Sequence, residues 1–360
     1  MKFIKQMICF FLLYSLSSLT VPHLSQASTN MTIHADAAIL INASSGQIIY
    51  AQNEDQPLGI ASMTKIMTEY LVLEAIHTGK TTWNQTYMIS EKVYTIANAG
   101  GLSNVPLRQY TRYTVRELFD AMAIKSANGA AIALAEIAAG TEGNFVKQMN
   151  DKAKQLGLEH YQFINASGLG NDDMLGLHPA GTDPQDENLL SARDTATLAF
   201  HLLRDFHEVL ETASIPWKIF REGTEDAFWM KNTNAMLEGR IYAYEGMDGL
   251  KTGTTSFAGP TFTGTAERNG IRFITVILNS KDSVGYSNSH ERFRQATKLL
   301  NYGFDSISVS QKMDANHAFI TIVEKQNFHV QKTLIQVHEK KLKHLFYITA
   351  PLKKQEDFFQ

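Results

Sequence analysis

The sequence predicts an α+β protein, an antiparallel sheet flanked by helices with a helical lobe and a short β-rich C-terminal segment. Three observations predict it. Strand patterns open the chain, at Ala37 to Asn42 and Gln47 to Ala51. Helical, alanine-rich segments fill the middle, from Val115 to Leu156. Strand patterns then close it, with Thr261 to Glu267 and Arg272 to Leu278 on either side of Asn269-Gly270, a strong hairpin turn. That order lets the first and last strands pair in one antiparallel sheet covered by helices.

The bounds are those of a globular protein. The chain has 360 residues, enough for one large domain and a smaller one. Hydrophobic residues make up 44% and charged residues 19%, and the net charge of -3 supplies no basic field for nucleic acid. Residues 1–27 read as a secretion signal. Lys2 and Lys5 start it, Met7 to Leu19 is apolar, and Ser25-Gln26-Ala27 offers the small residues of a cleavage site. The apolar core is short for a membrane span and is diluted by Ser15, Ser17 and Ser18. An exported, extracytoplasmic protein is expected. The one cysteine, Cys9, lies inside the signal, so the processed chain would hold no disulfide and no Cys metal site.

The elements follow in order. Ser44-Ser45-Gly46 joins the first two strands as a hairpin. A helix is expected to begin near Ser62, run through the apolar stretch from Lys65 to His77 and stop at Gly79. Thr81 to Thr111 is mixed and polar, and reads as loops and short strands. Thr114-Val115-Arg116-Glu117 is a capping box opening a helix at Val115. Ser126-Ala127-Asn128 breaks it from a second helix, Gly129 to Ala139, whose near-complete apolarity marks it as buried. A third spans about Asn144 to Leu156, stopped by Gly157. Asn165 to Leu190 is long and irregular, the kind of loop that is functional or mobile. Ser191 opens a helix toward Leu203. Beyond Pro216 the chain turns β-rich, Lys251-Thr252-Gly253 begins a strand, and His290 to Tyr302 reads as helix. Past Gly303, short strands are expected at Ala318 to Val323, Thr333 to Val337 and His344 to Ile348. The domain reading is residues 28–304 for the main domain and 305–360 for a short β-rich one.

Three motifs carry chemistry. Ser62 and Lys65 stand three residues apart, on one face of the first turn of their helix. A serine hydroxyl is a poor nucleophile until a base takes its proton, and an amine of lowered pKa can be that base. Free N–H groups at the helix start can hold an oxyanion. Taken singly, S-x-x-K is cheap, and so is S-x-N, which recurs at Ser28-Thr29-Asn30. Ser126-Ala127-Asn128 is set apart by its place between helices. Lys251-Thr252-Gly253 supplies an amine and a hydroxyl suited to a carboxylate, and a glycine that lets a ligand approach the backbone.

The three motifs in this order and context are the set of class A β-lactamases and penicillin-binding proteins. With their flanks, Ala61-Ser62-Met63-Thr64-Lys65, Ser126-Ala127-Asn128-Gly129-Ala130 and Asp248-Gly249-Leu250-Lys251-Thr252-Gly253, the sequence resembles the low-molecular-mass penicillin-binding D-alanyl-D-alanine carboxypeptidases from about Asp36 to Phe304. The resemblance implies a β-lactamase/transpeptidase-like fold and a role for each position. Ser62 would be acylated and Lys65 would activate it. Ser126 would relay the proton to the leaving amine, and Asn128 would hold Lys65 and the substrate amide. Lys251 and Thr252 would bind the terminal carboxylate, with Gly253 completing the motif. The backbone N–H groups of Ser62 and Thr254 would form the oxyanion hole. The implied substrate is the pentapeptide stem of peptidoglycan, losing its last D-alanine, with β-lactams as covalent inhibitors and no metal or cofactor.

Two departures qualify the match. Ala127 stands where class A β-lactamases have Asp, which favours the carboxypeptidase. The final residues, Leu352 to Gln360, show no amphipathic run of the kind that attaches some members to membranes, so membrane association is doubtful. The rivals are a β-lactamase or esterase on the same scaffold and a non-catalytic wall-binding protein. A lactamase needs a carboxylate to activate water; the long loop shows no Glu-x-x-x-Asn, and Glu187-Asn188 has the wrong spacing. The wall-binding reading needs a damaged motif set, and none is missing. The 12 histidines form no H-E-x-x-H, and His201/His207 and His338/His344 read as solvated.

Overall fold

The computed structural model describes residues 31–308 and the backbone of two further strands, 319–326 and 329–336. The signal segment, the His344 strand, His338 and the final residues therefore lie outside the described residues. Strands β1 (Ala35–Asn42), β2 (Ile48–Gln52) and β3 (Leu58–Gly59) come first. A 3-10 turn, Ala61–Thr64, leads into helix α1 (Lys65–His77). Then follow β4 (Thr86–Met88), α2 (Glu91–Ala97), β5 (Arg112–Thr114), α3 (Val115–Lys125), α4 (Asn128–Ala139) and α5 (Glu142–Gln155). Next are β6 (Tyr161–Gln162), β7 (Leu189–Leu190), α6 (Ala192–Asp205), α7 (Val209–Ala213), β8 (Trp217–Phe220) and β9 (Phe228–Lys231). The chain closes with β10 (Met247–Thr255), β11 (Gly259–Arg268), β12 (Ile271–Ser280), α8 (Glu291–Ser308), β13 (Phe319–Gln326) and β14 (His329–Gln336).

The main sheet is antiparallel with order β10-β11-β12-β1-β2. The first strand does pair with a late one: Ile39 faces Val276 and Ile41 faces Ile274. Alternation explains both faces being apolar, since Ala37 to Ile41 and Phe273 to Leu278 are buried throughout and helices α6 and α8 cover the sheet. The helical lobe is built on α1 and α4. Burial takes in α1 from Lys65 to Leu73, and Ala130 to Ala135 of α4 sit in the core, where small side chains let neighbouring helices close in. The Thr114/Glu117 capping box is present in full, both reciprocal bonds made.

Four expectations change. Thr81 to Thr111 holds a helix as well as strands: Ser90 caps α2, its hydroxyl accepting from Val93 N at 3.2 Å. The helix expected from Ser62 does not begin as α-helix there; Ser62 sits in the 3-10 turn and the α-helix starts at Lys65. Lys251-Thr252-Gly253 lies in the middle of β10, not at a strand start, because pairing with Thr263, Phe262 and Thr261 extends the strand on both sides. His201 also departs from the solvated reading, since its Nδ1 is buried with no partner.

Candidate active site

The turn bearing Ser62 is held in an uncommon backbone. Ala61 has φ +48, a left-handed conformation that costs a non-glycine residue roughly 1–2 kcal/mol. The neighbours over-determine it. Ile60 N donates to Asn188 O at 3.2 Å, and Ile60 O accepts from Met63 N at 3.1 Å and from Thr261 Oγ1 at 3.2 Å. Two glycines make room. A Cβ on Gly253 would lie 2.5 Å from Ile60 O, and one on Gly168, itself at φ +79, would lie 2.0 Å from Ala61 O. Gly253 is therefore a steric requirement of β10 lying against the Ser62 turn.

Lys65 is fully buried, and its Nζ has three neighbours. Ser62 Oγ lies 2.9 Å away, Asn128 Oδ1 2.7 Å away, and the carbonyl of Ser167 is also in hydrogen-bond contact. A neutral amine has two N–H donors and one lone pair. Asn128 and Ser167 can take both donors, which leaves the lone pair for the Ser62 hydroxyl. Burial holds the Lys65 pKa well below that of an ordinary lysine, and the positive charge of Lys251 lowers it further, while Glu69 opposes both.

Ser167 belongs to the long loop, and asparagines fix it there. Asn165 Oδ1 accepts from Ser167 N at 3.1 Å and Gly168 N at 2.7 Å, and from Asn188 Nδ2 at 3.2 Å. Asn188 Oδ1 in turn accepts from Ile164 N at 3.0 Å. Asn188 is thus a buried brace between the loop and the Ser62 turn. Glu187, beside it, is pushed up to about 7 by burial and by the nearby charges of Asp172 and Asp173, and no hydrogen bond links it to Ser62, Lys65 or Ser126.

Ser126 caps the C-terminus of α3 at φ 62, and its buried Oγ makes no hydrogen bond to another group. Asn128 N is fixed by Ser103 O at 2.9 Å. Lys251 is buried on β10, and the one hydrogen bond of its Nζ among the described residues is a 3.5 Å contact with Thr252 O. Burial lowers its pKa to about 8, with Glu69 opposing and Arg292 adding to the fall. Such a cation, out of water and with no carboxylate in direct contact among the described residues, favours an anionic ligand. Arg292 on α8 braces this strand, donating to Gly253 O at 2.7 Å, Thr261 O at 3.1 Å and Thr254 Oγ1 at 3.0 Å.

The structure thus brings Ser62, Lys65 and Asn128 into direct contact. It places Ser126 at the α3–α4 junction and Lys251 to Thr254 on the strand packed against the Ser62 turn. Sequence reasoning missed Ser167, Asn165, Asn188, Arg292 and Glu69. Glu69, one turn beyond Lys65, is 2% exposed, and burial pushes its carboxyl up to about 7 against the pull of both lysines.

A family model for D-alanyl-D-alanine carboxypeptidases matches residues 24–282. The chain belongs to this family. It is 34% identical over 277 residues to the D-alanyl-D-alanine carboxypeptidase DacF of Bacillus subtilis, covering 77% of this chain and 64% of the relative. It is 29% identical over 296 residues to DacC of Escherichia coli, covering 81% and 66%. The chain therefore spans slightly less than two thirds of the length of these carboxypeptidases. Among solved structures, PBP3 of Streptococcus pneumoniae superposes with a TM-score of 0.71 at 34% identity, covering 86% of this chain and 87% of that one. Penicillin-binding protein D2 of Listeria monocytogenes, in its cefotaxime-bound form, superposes with a TM-score of 0.64 at 32% identity, covering 76% and 99%. The family's transpeptidase-like α+β fold is thus shared by this chain. Among the described residues no helix is long and apolar enough to cross a membrane.

Proposed function

We propose that the chain is a serine-type D-Ala-D-Ala carboxypeptidase acting on peptidoglycan stem pentapeptides outside the cytoplasm, after removal of residues 1–27. The observation that carries the reading is the 2.9 Å approach of Lys65 Nζ to Ser62 Oγ with the amine's other two contacts both acceptors. Lys65 takes the Ser62 proton as Oγ attacks the carbonyl carbon of the penultimate D-alanine. The oxyanion is held by the N–H groups of Ser62 and Thr254. As the C–N bond breaks, Ser126 passes a proton from Lys65 to the leaving amine, and free D-alanine departs. Lys65 then activates a water that hydrolyses the ester and restores Ser62. Lys251 and Thr252 hold the substrate's terminal carboxylate, and Asn128 orients Lys65 and the substrate amide.

The Listeria relative with ampicillin or cefotaxime bound supports the expectation that β-lactams acylate Ser62 here. The lactamase reading lacks support, since Glu187 is not joined to the Ser62 group and Asn188 is a structural brace. The test is Ser62→Ala. It should abolish D-alanine release and the penicillin adduct seen by intact mass spectrometry, at a cost to folding of only about 1 kcal/mol, that of the one hydrogen bond to Lys65. An adduct surviving in the variant would remove Ser62 from the role.

A further inference from the structure

The β8–β9 hairpin has two unlike faces. Pairing of Lys218 with Met230 and Phe220 with Phe228 gives an inner face, where Phe220 and Met230 are buried and Lys218 reaches Asp120 of α3 at 2.6 Å. Pairing of Trp217 with Lys231 and Ile219 with Trp229 gives an outer face. On it Trp217 is 49%, Ile219 41% and Trp229 59% exposed. Two of the chain's three tryptophans thus stand in water on one side of one hairpin. An exposed aromatic cluster of this kind marks an interaction surface.

Both ends of the hairpin are tied to segments that also hold the active site. At its root, Thr233 N donates to Ile124 O at 3.2 Å, two residues before Ser126, and Asn234 Nδ2 donates to Gly249 O at 3.1 Å, two residues before Lys251. At its tip, Arg108 pairs with Glu225 at 2.7 Å and Asp226 at 2.5 Å. The segment ending at Arg108 is the one whose Ser103 and Asn104 hold the N–H groups of Asn128 and Gly129.

We propose that Trp217, Ile219, Trp229 and Lys231 form a docking platform for the glycan strand of peptidoglycan, the polymer that carries the stem peptide. The proposal rests on the carboxypeptidase reading and deepens it. A pyranose ring presents a flat face of C–H groups, and their positive edge suits the negative face of an indole. Diagonal positions across a hairpin lie roughly 7–8 Å apart, which sets the two indoles to meet neighbouring sugars of a chain. Lys231 can donate to hydroxyl and acetamido oxygens beside them. The platform is continuous with the site, because the hairpin's root is hydrogen-bonded at Ile124 and Gly249, two residues before Ser126 and Lys251. Continuity with the site that takes the stem peptide favours the glycan over a bilayer as the occupant, and the test separates the two.

The test uses the full chain, Trp217→Ala/Trp229→Ala and Trp229→Phe. The probes are insoluble glycan strands stripped of their peptides, a free pentapeptide ending in D-Ala-D-Ala, the same pentapeptide linked to glycan, and phosphatidylglycerol/phosphatidylethanolamine vesicles. The parent should co-sediment with stripped glycan, the double variant about tenfold more weakly, and Trp229→Phe in between. Turnover of the free peptide should be unchanged in the double variant, while KM for the glycan-linked peptide rises about tenfold at constant kcat. If circular dichroism shows the double variant misfolded, Trp229→Ala alone takes its place. No retention of the parent on stripped glycan, equal retention of the variants, or retention on vesicles instead would overturn the proposal. Loss of the carboxypeptidase reading would appear separately, as no D-alanine released from either peptide by the parent, and the stripped-glycan assay would still be read.

Discussion

Glu69→Gln should move and narrow the pH profile. The proposed mechanism needs Lys65 neutral and Lys251 protonated, so kcat/KM rises as pH passes the Lys65 pKa and falls as it passes that of Lys251, about 8. The groups facing Glu69 are Lys65 on its own helix and Lys251 on β10, with Arg292 behind Lys251. Its carboxylate favours the charged form of both lysines; removing it lowers both pKa values, so both limbs move to lower pH. Positions i and i+4 of a helix lie about 6 Å apart. Taking separations of roughly 6–10 Å and an effective dielectric near 20, each interaction is worth about 2–3 kcal/mol, or one to two pH units. The two limbs do not feel this equally. Glu69 titrates at about 7, so it is ionised at the alkaline limb and largely protonated in acid. The alkaline limb should therefore shift by at least about one unit and the acid limb by less. The assay is kcat/KM for a D-Ala-D-Ala peptide from pH 5 to 10, with a neutral ester as control, because its turnover does not need the Lys251 charge. An unmoved alkaline limb, or a shift of either limb toward alkali, would refute the electrostatic role of Glu69.

Three further outcomes are expected. Lys251→Ala should cost about ten- to hundredfold in kcat/KM on D-Ala-D-Ala peptides, the worth of one charge-assisted contact, and little on a neutral ester; equal losses would assign Lys251 another task. Gly253→Ala should push β10 off the Ser62 turn and lower kcat about a hundredfold with the helices intact by circular dichroism, and near-normal turnover would show that the strand has slack. Benzylpenicillin should leave an adduct that mass spectrometry follows for minutes or longer, because a dedicated base for water, typically worth about 10²–10⁴-fold, is not joined to the site; rapid hydrolysis of nitrocefin with no adduct would favour a β-lactamase.

What could be read in the sequence was what is local. The capping box is four residues long, and Ser62 and Lys65 are one turn apart, so both announce themselves. The pairing of β1 with β12 was legible because apolar runs at both ends of the chain need one another. Helix α2 was missed because seven residues leave too little periodicity beside a polar surround. The centred place of Lys251 in β10 was missed because Gly249 and Gly253 weaken strand propensity, while packing against β11 overrides it. Ser167 could not be found, since it acts through a carbonyl that every residue owns. Arg292 looked like one more charge on an amphipathic helix, and only the fold turns it toward Gly253 and Thr261.

The over-determined Ser62 turn has a consequence for how the chain is handled. Its contacts span 201 residues to Thr261 and 102 from Lys65 to Ser167, so the turn closes only when β11 and the long loop have both docked. Contacts of such sequence separation form slowly, after the local helices. Far-ultraviolet signal would then recover early in refolding while the hydroxyl stays unactivated. On the proposed mechanism, covalent labelling with a penicillin would count finished molecules, and the lag between the two signals would time the docking of the sheet on the Ser62 turn.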